Sequence, residues 1–357
     1  MEAKLSGRQL ACLTMVYIIG SSAALGSGDM AGRGAWLSMV MAVLVMVPVV
    51  VLYARVSVLY GEGDLFDALF QALGPVLGWG AALLALLYCL KLGAAALRDF
   101  PEFLHTVTLV KTPKALLVLP LGLLCAYLAR LGPGAMGKAA ILFSAVVGIL
   151  AAATFFLLLP NMELGRLLPV LEEGWRPVVL NAAGLVSVPF GEMVLLLCLF
   201  CRQKEGQSRQ TAWLWGLMLG GAYLVVSLLR NLLALGAENL VALRYPSYSA
   251  AGIINLADFF QRVEVVVACY LLMCDILKAG VALYAASLGL AKLLRLKDSR
   301  RGIWPLGIVM TAAALLVPQS FLQGTHSSPS YFWLTLPFAL GLPLLLWGLG
   351  ELRKRRG

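Results

Sequence analysis

Apolar runs of about 18 to 25 residues recur from one end of this chain to the other, and that repetition decides its solvent. An α-helix rises about 1.5 Å per residue, so each run is long enough to cross the roughly 30 Å of hydrocarbon in a bilayer. The 357-residue chain is 61% hydrophobic and 13% charged, where soluble domains are about a quarter charged. A water-soluble fold of this size could not hide that much apolar surface. The short alternating segments of a membrane β-barrel do not occur in the sequence.

The expected fold class is therefore an all-α membrane protein of about ten transmembrane helices, with one transmembrane domain over 1–357. The spans read 9–30, 34–55, 76–98, 114–131, 138–159, 178–201, 211–235, 260–285, 303–320 and 331–350. Turn signals separate several of them: Gly61-Glu62-Gly63, Gly132-Pro133-Gly134 and the stretch from Gly324 to Pro329. The short basic N-terminus, with Lys4 and Arg8, leads into a first span rather than a cleaved signal peptide.

An even number of spans puts both termini on one face. About 17 Lys and Arg fall on that face and about 7 on the other. The positive-inside rule then predicts both termini in the cytoplasm, and it accounts for the net charge of +10 without nucleic acid as a partner. The basic stretch from Arg98 to Lys114 fits this assignment least well. Two outer loops, 97–113 and 236–259, are long enough to hold structure of their own. The seven cysteines are odd in number and irregular in spacing, so they read as buried thiols rather than a disulfide framework.

Two spans carry signs of interruption. Span 1 contains Gly20-Ser21-Ser22-Ala23-Ala24-Leu25-Gly26-Ser27-Gly28, a cluster of poor helix formers. Span 6 contains Ser187-Val188-Pro189-Phe190-Gly191-Glu192, where the proline removes a backbone donor and clashes with the preceding turn. These spans correspond if the fold is a five-plus-five inverted repeat, the first half about 9–159 and the second about 178–350. Broken helices at matching positions of two repeats point to a ligand site at the bilayer midplane. Freed N–H groups in span 1 would hold a carboxylate, and freed carbonyls in span 6 an ammonium. Small residues also permit close helix contact, so packing kinks are the competing reading.

Ionisable groups inside spans are costly in lipid and so face a cavity or a partner. Glu192 sits at the span 6 break, and Lys91 lies near Tyr88 in span 3. In span 8, Glu264, Ala268, Leu271, Asp275 and Lys278 fall on one helical stripe, with Asp275 and Lys278 spaced to pair locally. Lys91 admits two readings, pairing with Glu192 or snorkelling to the interface.

Enzyme chemistry is not expected, nor is any metal or cofactor. The two histidines, His105 and His326, both fall in outer loops. The phosphate-loop spacing at Gly132–Ala139 lacks its Ser/Thr and any preceding strand.

Several stretches, in order, resemble the B-subunits of bacterial endospore germinant receptors, members of the amino acid–polyamine–organocation superfamily. They are Ala31-Gly32-Arg33-Gly34-Ala35-Trp36-Leu37-Ser38, Leu97-Arg98-Asp99-Phe100-Pro101-Glu102-Phe103 and Lys111-Thr112-Pro113. Further along come Pro189-Phe190-Gly191-Glu192, Tyr245-Pro246, Phe260-Gln261-Arg262-Val263-Glu264 and Leu296-Lys297-Asp298-Ser299-Arg300. The resemblance implies a sensory role: binding a small germinant, often an amino acid, in the spore inner membrane beside a larger A-subunit and a lipoprotein C-subunit. Carried over by position, the ligand would lie among Gly20, Ser21, Ser22 and Ala23, Tyr88 and Lys91, and Val188, Phe190 and Glu192. The chain departs from the superfamily's expected Gly-Thr/Ser-Gly by reading Gly20-Ser21-Ser22. A secondary amino acid transporter of the same fold is the alternative function.

Overall fold

The computed structural model describes residues 4–23, 31–61, 63–172, 174–200, 203, 208–254, 265–318 and 329–356. Among them the chain is almost wholly helical, with a single bridge between Leu5 and Gln203 as its only β-type pairing.

Span 1 is Gly7–Ile19, followed by a 3-10 turn at Gly20–Ala23. Span 2 is Ala35–Leu59, span 3 Leu65–Val107, span 4 Lys114–Leu131 and span 5 Pro133–Leu158. Span 6 starts as Trp175–Leu185, widens into a π-type turn at Val186–Phe190, tightens to 3-10 over Gly191–Leu196 and ends as Leu197–Phe200. Span 7 is Arg209–Leu235, span 8 Val265–Leu293 and span 9 Ile303–Leu316. Span 10 is Pro329–Leu336, a wide turn at Pro337–Gly341, then Leu342–Arg356. Eight of these are long and apolar enough to cross a bilayer by themselves. The 13-residue helix of span 1 reaches only about 20 Å and stops where its glycine–serine cluster begins.

Helix starts follow from local chemistry. The Ser6 hydroxyl accepts from Gln9 N–H at 3.2 Å while Gln9 Oε1 accepts from Ser6 N–H at 2.8 Å, a reciprocal cap. Asp64 and Asp67 make the same arrangement at span 3.

The helix contacts come in pairs that the two halves exchange. Span 1 packs on span 7, as span 6 packs on span 2; span 1 packs on span 5, as span 6 packs on span 10. Span 3 meets span 9, as span 8 meets span 4, while the 3–8, 2–7 and 4–9 contacts map onto themselves. This is the pattern an inverted repeat of five-helix halves requires. Span 6 lies at its centre, with 89% of its apolar window buried, against 17% for span 5 at the periphery.

Span 3 differs most from the sequence expectation. Its helix does not end near residue 98 but continues to Val107, carrying Pro101 within it. The charged residues that suggested an outer loop are instead buried, Asp99 and Glu102 both under a tenth exposed. Glu102 accepts Lys114 Nζ at 2.7 Å and lies 3.8 Å from Arg98 and 3.9 Å from Arg244. Beside it Phe103 meets Tyr245 and Tyr248 edge-on at 5.0 and 5.3 Å. Burial pushes the Tyr245 phenol up to about 12, which keeps it neutral. Residues 236–254 hold two short helices, Ala237–Ala242 and Pro246–Gly252, and the clasp takes Arg244 and Tyr245 from between them and Tyr248 from the second. The basic residues from Arg98 to Lys114 thus serve a local carboxylate, which explains why they fit the topology rule poorly.

Candidate functional site

Both predicted interruptions are present, and they touch. The α-helix of span 1 ends at Ile19, and Gly20 takes φ +34° and ψ −139°. A Cβ at Gly20 would meet the Lys278 side chain at 3.2 Å, so glycine serves here both a backbone conformation and a close approach. In span 6, Val188 is extended at φ −135° and ψ 118°, directly before Pro189. The wide turn at Val186–Phe190 contacts the Gly20–Ala23 turn. Gly191 has no room for a side chain: a Cβ would lie 2.8 Å from the Val186 carbonyl and 2.9 Å from Ala339. Span 10 thereby braces the break, and the Tyr53 hydroxyl donates to the Ala339 carbonyl at 2.6 Å from the other side.

Charge converges on this junction. Lys278 Nζ of span 8 lies 2.6 Å from Glu192 Oε2 of span 6, with both side chains under a tenth exposed. The same ammonium sits 5.8 Å from the Tyr17 ring centroid, one turn before the span 1 break. Lys91 has Glu192 and Lys278 as its charged neighbours, and its Nζ is buried rather than snorkelled to the interface. Tyr88, one turn before Lys91, stacks on Phe338 of the span 10 turn at 4.2 Å. Phe190 is fully buried and Ser22 nearly so.

The nine residues singled out from sequence thus share one neighbourhood as far as they are described. For Ser21 and Ala23 this covers the backbone alone. Two pairings differ from expectation. Lys278 does not pair locally with Asp275 but reaches across to Glu192, and Lys278 rather than Lys91 makes the short contact with that carboxylate. Asp275 is 3% exposed, and neither of its carboxylate oxygens has a hydrogen-bond partner among the described residues. Its charged neighbours are Asp99 and Lys278. Glu264 and the Phe260–Glu264 stretch lie outside the described residues, as do Asp29 and residues 24–30.

The orientation of span 1 also revises the donor assignment. The described half ends in a helix C-terminus, whose unpaired groups are carbonyls, with the negative end of the helix dipole. The part of span 1 from which N–H donors are expected lies outside the described residues. Residues missed in the sequence are Tyr17, Lys278 as the partner of Glu192, and Ser187, whose buried hydroxyl has no hydrogen-bond partner among the described residues. The wide turn at Pro337–Gly341, which carries Phe338 and Ala339, was also missed. Tyr17 had a usable signal, a polar-tipped side chain one turn before a glycine cluster.

Comparison with known proteins bears on the family and the fold. The family model described as "Spore germination protein" matches residues 4–322. Spore germination protein KB of Bacillus subtilis (strain 168) is 25% identical over 362 aligned residues, covering 99% of this chain and 96% of that protein. The putative spore germination protein YfkT of the same organism is 25% identical over 280 residues, covering 78% and 76%. Among solved structures, Mhp1, a nucleobase-cation-symport-1 family transporter captured closed with bromovinylhydantoin, superimposes with a TM-score of 0.72 at 14% identity, covering 100% of this chain and 80% of that one. MhsT in complex with L-phenylalanine gives 0.69 at 13% identity, covering 99% and 89%. The two structures establish the transporter-type helical fold, and the match over nearly all of its length makes this chain a member of the spore germination protein family.

Proposed function

We propose that this chain is the ligand-sensing membrane subunit, the B-subunit, of a germinant receptor, and that it binds a small amino-acid-like molecule where the breaks of spans 1 and 6 meet. The observation that carries the reading is the Glu192–Lys278 ion pair at 2.6 Å, buried against both interruptions. A buried ion pair contributes little net stability, because desolvation offsets its Coulomb attraction. Its position beside the two interrupted turns gives it another use: a zwitterion can replace each half of the pair. The ligand ammonium would take Glu192 and the carbonyls ending span 1. The carboxylate would take Lys278 or Lys91, with Tyr17 and Tyr88 flanking the side chain. Gly20, Ser21, Ser22 and Ala23 would form one wall, and Val188 and Phe190 the other. MhsT, of the same fold, was solved with L-phenylalanine, which supports an amino acid as the ligand class.

The two repeats would meet at this site, the first about 9–159 and the second about 178–350. The partners would be the receptor A-subunit and lipoprotein C-subunit. The location would be the spore inner membrane, with both termini cytoplasmic. No step here calls for catalysis.

The test uses the purified full chain in lipid nanodiscs, titrated with a panel of amino acids and followed by thermal shift. At least one should bind, and Ser22→Leu should abolish the shift while leaving insertion intact. Binding that survives Ser22→Leu would place the site elsewhere. The same protein in sealed vesicles separates the alternative: concentrative uptake of the labelled ligand would make the chain a transporter.

A further inference from the structure

A second buried cation, Arg230, lies near the end of span 7 outside the ion pair, and its surroundings differ in kind. Arg230 is 3% exposed. Its Nη1 donates to Thr154 Oγ1 at 2.8 Å, its Nε and Nη2 to Asn231 Oδ1 at 3.1 and 2.8 Å, and its Nη2 to Ser227 Oγ at 3.4 Å. Asn231 is held in turn by Ser247 Oγ, which accepts from its amide at 2.9 Å. Every one of these acceptors is neutral, and no carboxylate pairs with Arg230 among the described residues. Among the described residues the guanidinium is positioned but its charge is not balanced, a costly state inside a membrane protein.

Arg230 closes a groove of about 350 Å³ between spans 5 and 7. The walls are apolar, with Ala152, Phe155 and Phe156 on one side and Leu219, Ala222 and Val226 on the other. Phe156, Leu219 and Val226 are largely exposed on the outer surface of the bundle, so the groove opens toward lipid. From Leu219 to Arg230 it follows span 7 for about 16 Å. Arg230 lies five residues before the end of span 7 at Leu235, so it faces the headgroup level opposite the termini.

We propose that this groove is a binding site for one anionic phospholipid of the surrounding bilayer. Its phosphate sits at Arg230 and one acyl chain lies along the apolar walls. The charge that the described residues leave unbalanced is met by the headgroup, whose phosphate accepts the one Nη1–H of Arg230 that Thr154 leaves free. The site is independent of the spans 1 and 6 junction, so it stands whichever ligand that junction takes.

The experiment purifies the full chain in phosphatidylcholine nanodiscs with stepwise phosphatidylglycerol. It counts retained lipid by native mass spectrometry and follows the melting temperature. Wild type should retain one phosphatidylglycerol and melt higher as its fraction rises. Ala222→Trp fills the groove without touching the guanidinium, and should weaken retention about fivefold to tenfold by displacing the acyl chain from the apolar walls. Arg230→Gln should lose the preference for phosphatidylglycerol. If that variant does not fold, Ala222→Trp decides alone. Equal stabilisation by the two lipids, unchanged retention in Ala222→Trp, or a free fatty acid recovered in place of the phospholipid would each overturn the proposal.

Discussion

Two clusters of charge are built from the same residue types and behave as opposites. At the junction of spans 1, 6 and 8, Glu192 and Lys278 sit 2.6 Å apart with 3% and 6% of their side chains exposed. On the face opposite the termini, Glu102 is surrounded by Lys114, Arg98 and Arg244, two of them about two-fifths exposed. Water screens the second cluster, so its members can be lost singly at modest cost. Both side chains of the first are buried, and removing one partner leaves a bare charge inside the protein. The outer cluster is therefore a clamp that joins span 3 to the outer helices. The inner one is a balance that a charged ligand can tip.

Substitutions can break this contrast. The largest effect is expected at the inner pair: Lys278→Met or Glu192→Gln alone should lower unfolding stability by about 3–5 kcal/mol. The double substitution Glu192→Leu with Lys278→Met should recover most of that loss while still failing to bind ligand. Unfolding in detergent together with nanodisc titration checks both halves. Recovery of binding by the double variant would remove the pair from the site.

Gly20→Ala comes next, at about 1–3 kcal/mol, because the new Cβ must adopt positive φ and displace Lys278. It should also weaken ligand binding, whereas a comparable loss at the outer cluster should not. Glu102→Gln is expected to cost about 1–2 kcal/mol, shrinking in high salt as the three cations are screened. A salt-independent loss would mean that Glu102 is as sealed as Glu192. Smallest is Lys292→Ala, which removes a 2.5 Å contact to Asp67 at the opposite membrane face. Both side chains are over a quarter exposed there, so about 1 kcal/mol or less is expected.

The sequence exposes some of this design and hides the rest for a physical reason. Span lengths and the two interruptions are local properties: Gly20 and Pro189 declare themselves within a few residues. The buried status of Glu192 and Lys278 is equally readable, because a charge amid apolar residues has few alternatives. Their pairing is not, since it joins residues 86 positions apart. The i,i+3 spacing of Asp275 and Lys278 offered a nearer but incorrect partner. The end of span 3 misleads for the converse reason. Arg98, Asp99 and Glu102 read as water-facing, yet residues from span 4 and the outer helices satisfy and cover them. The wide turn of span 10 carries only Pro337 and Gly341 as clues, too weak to separate it from an ordinary helix.

Beyond the bend at Gly74, residues 75–107 of span 3 form one helix about 50 Å long. The same rod carries Lys91 beside the ion pair and Phe103 among the outer tyrosines. Pivoting it by about 5° near Lys91 would swing its far tip roughly 2 Å. A rearrangement too small to open a passage through the bilayer would then emerge as a lateral stroke at the protein's surface, where a neighbouring polypeptide could read it as motion rather than as cargo.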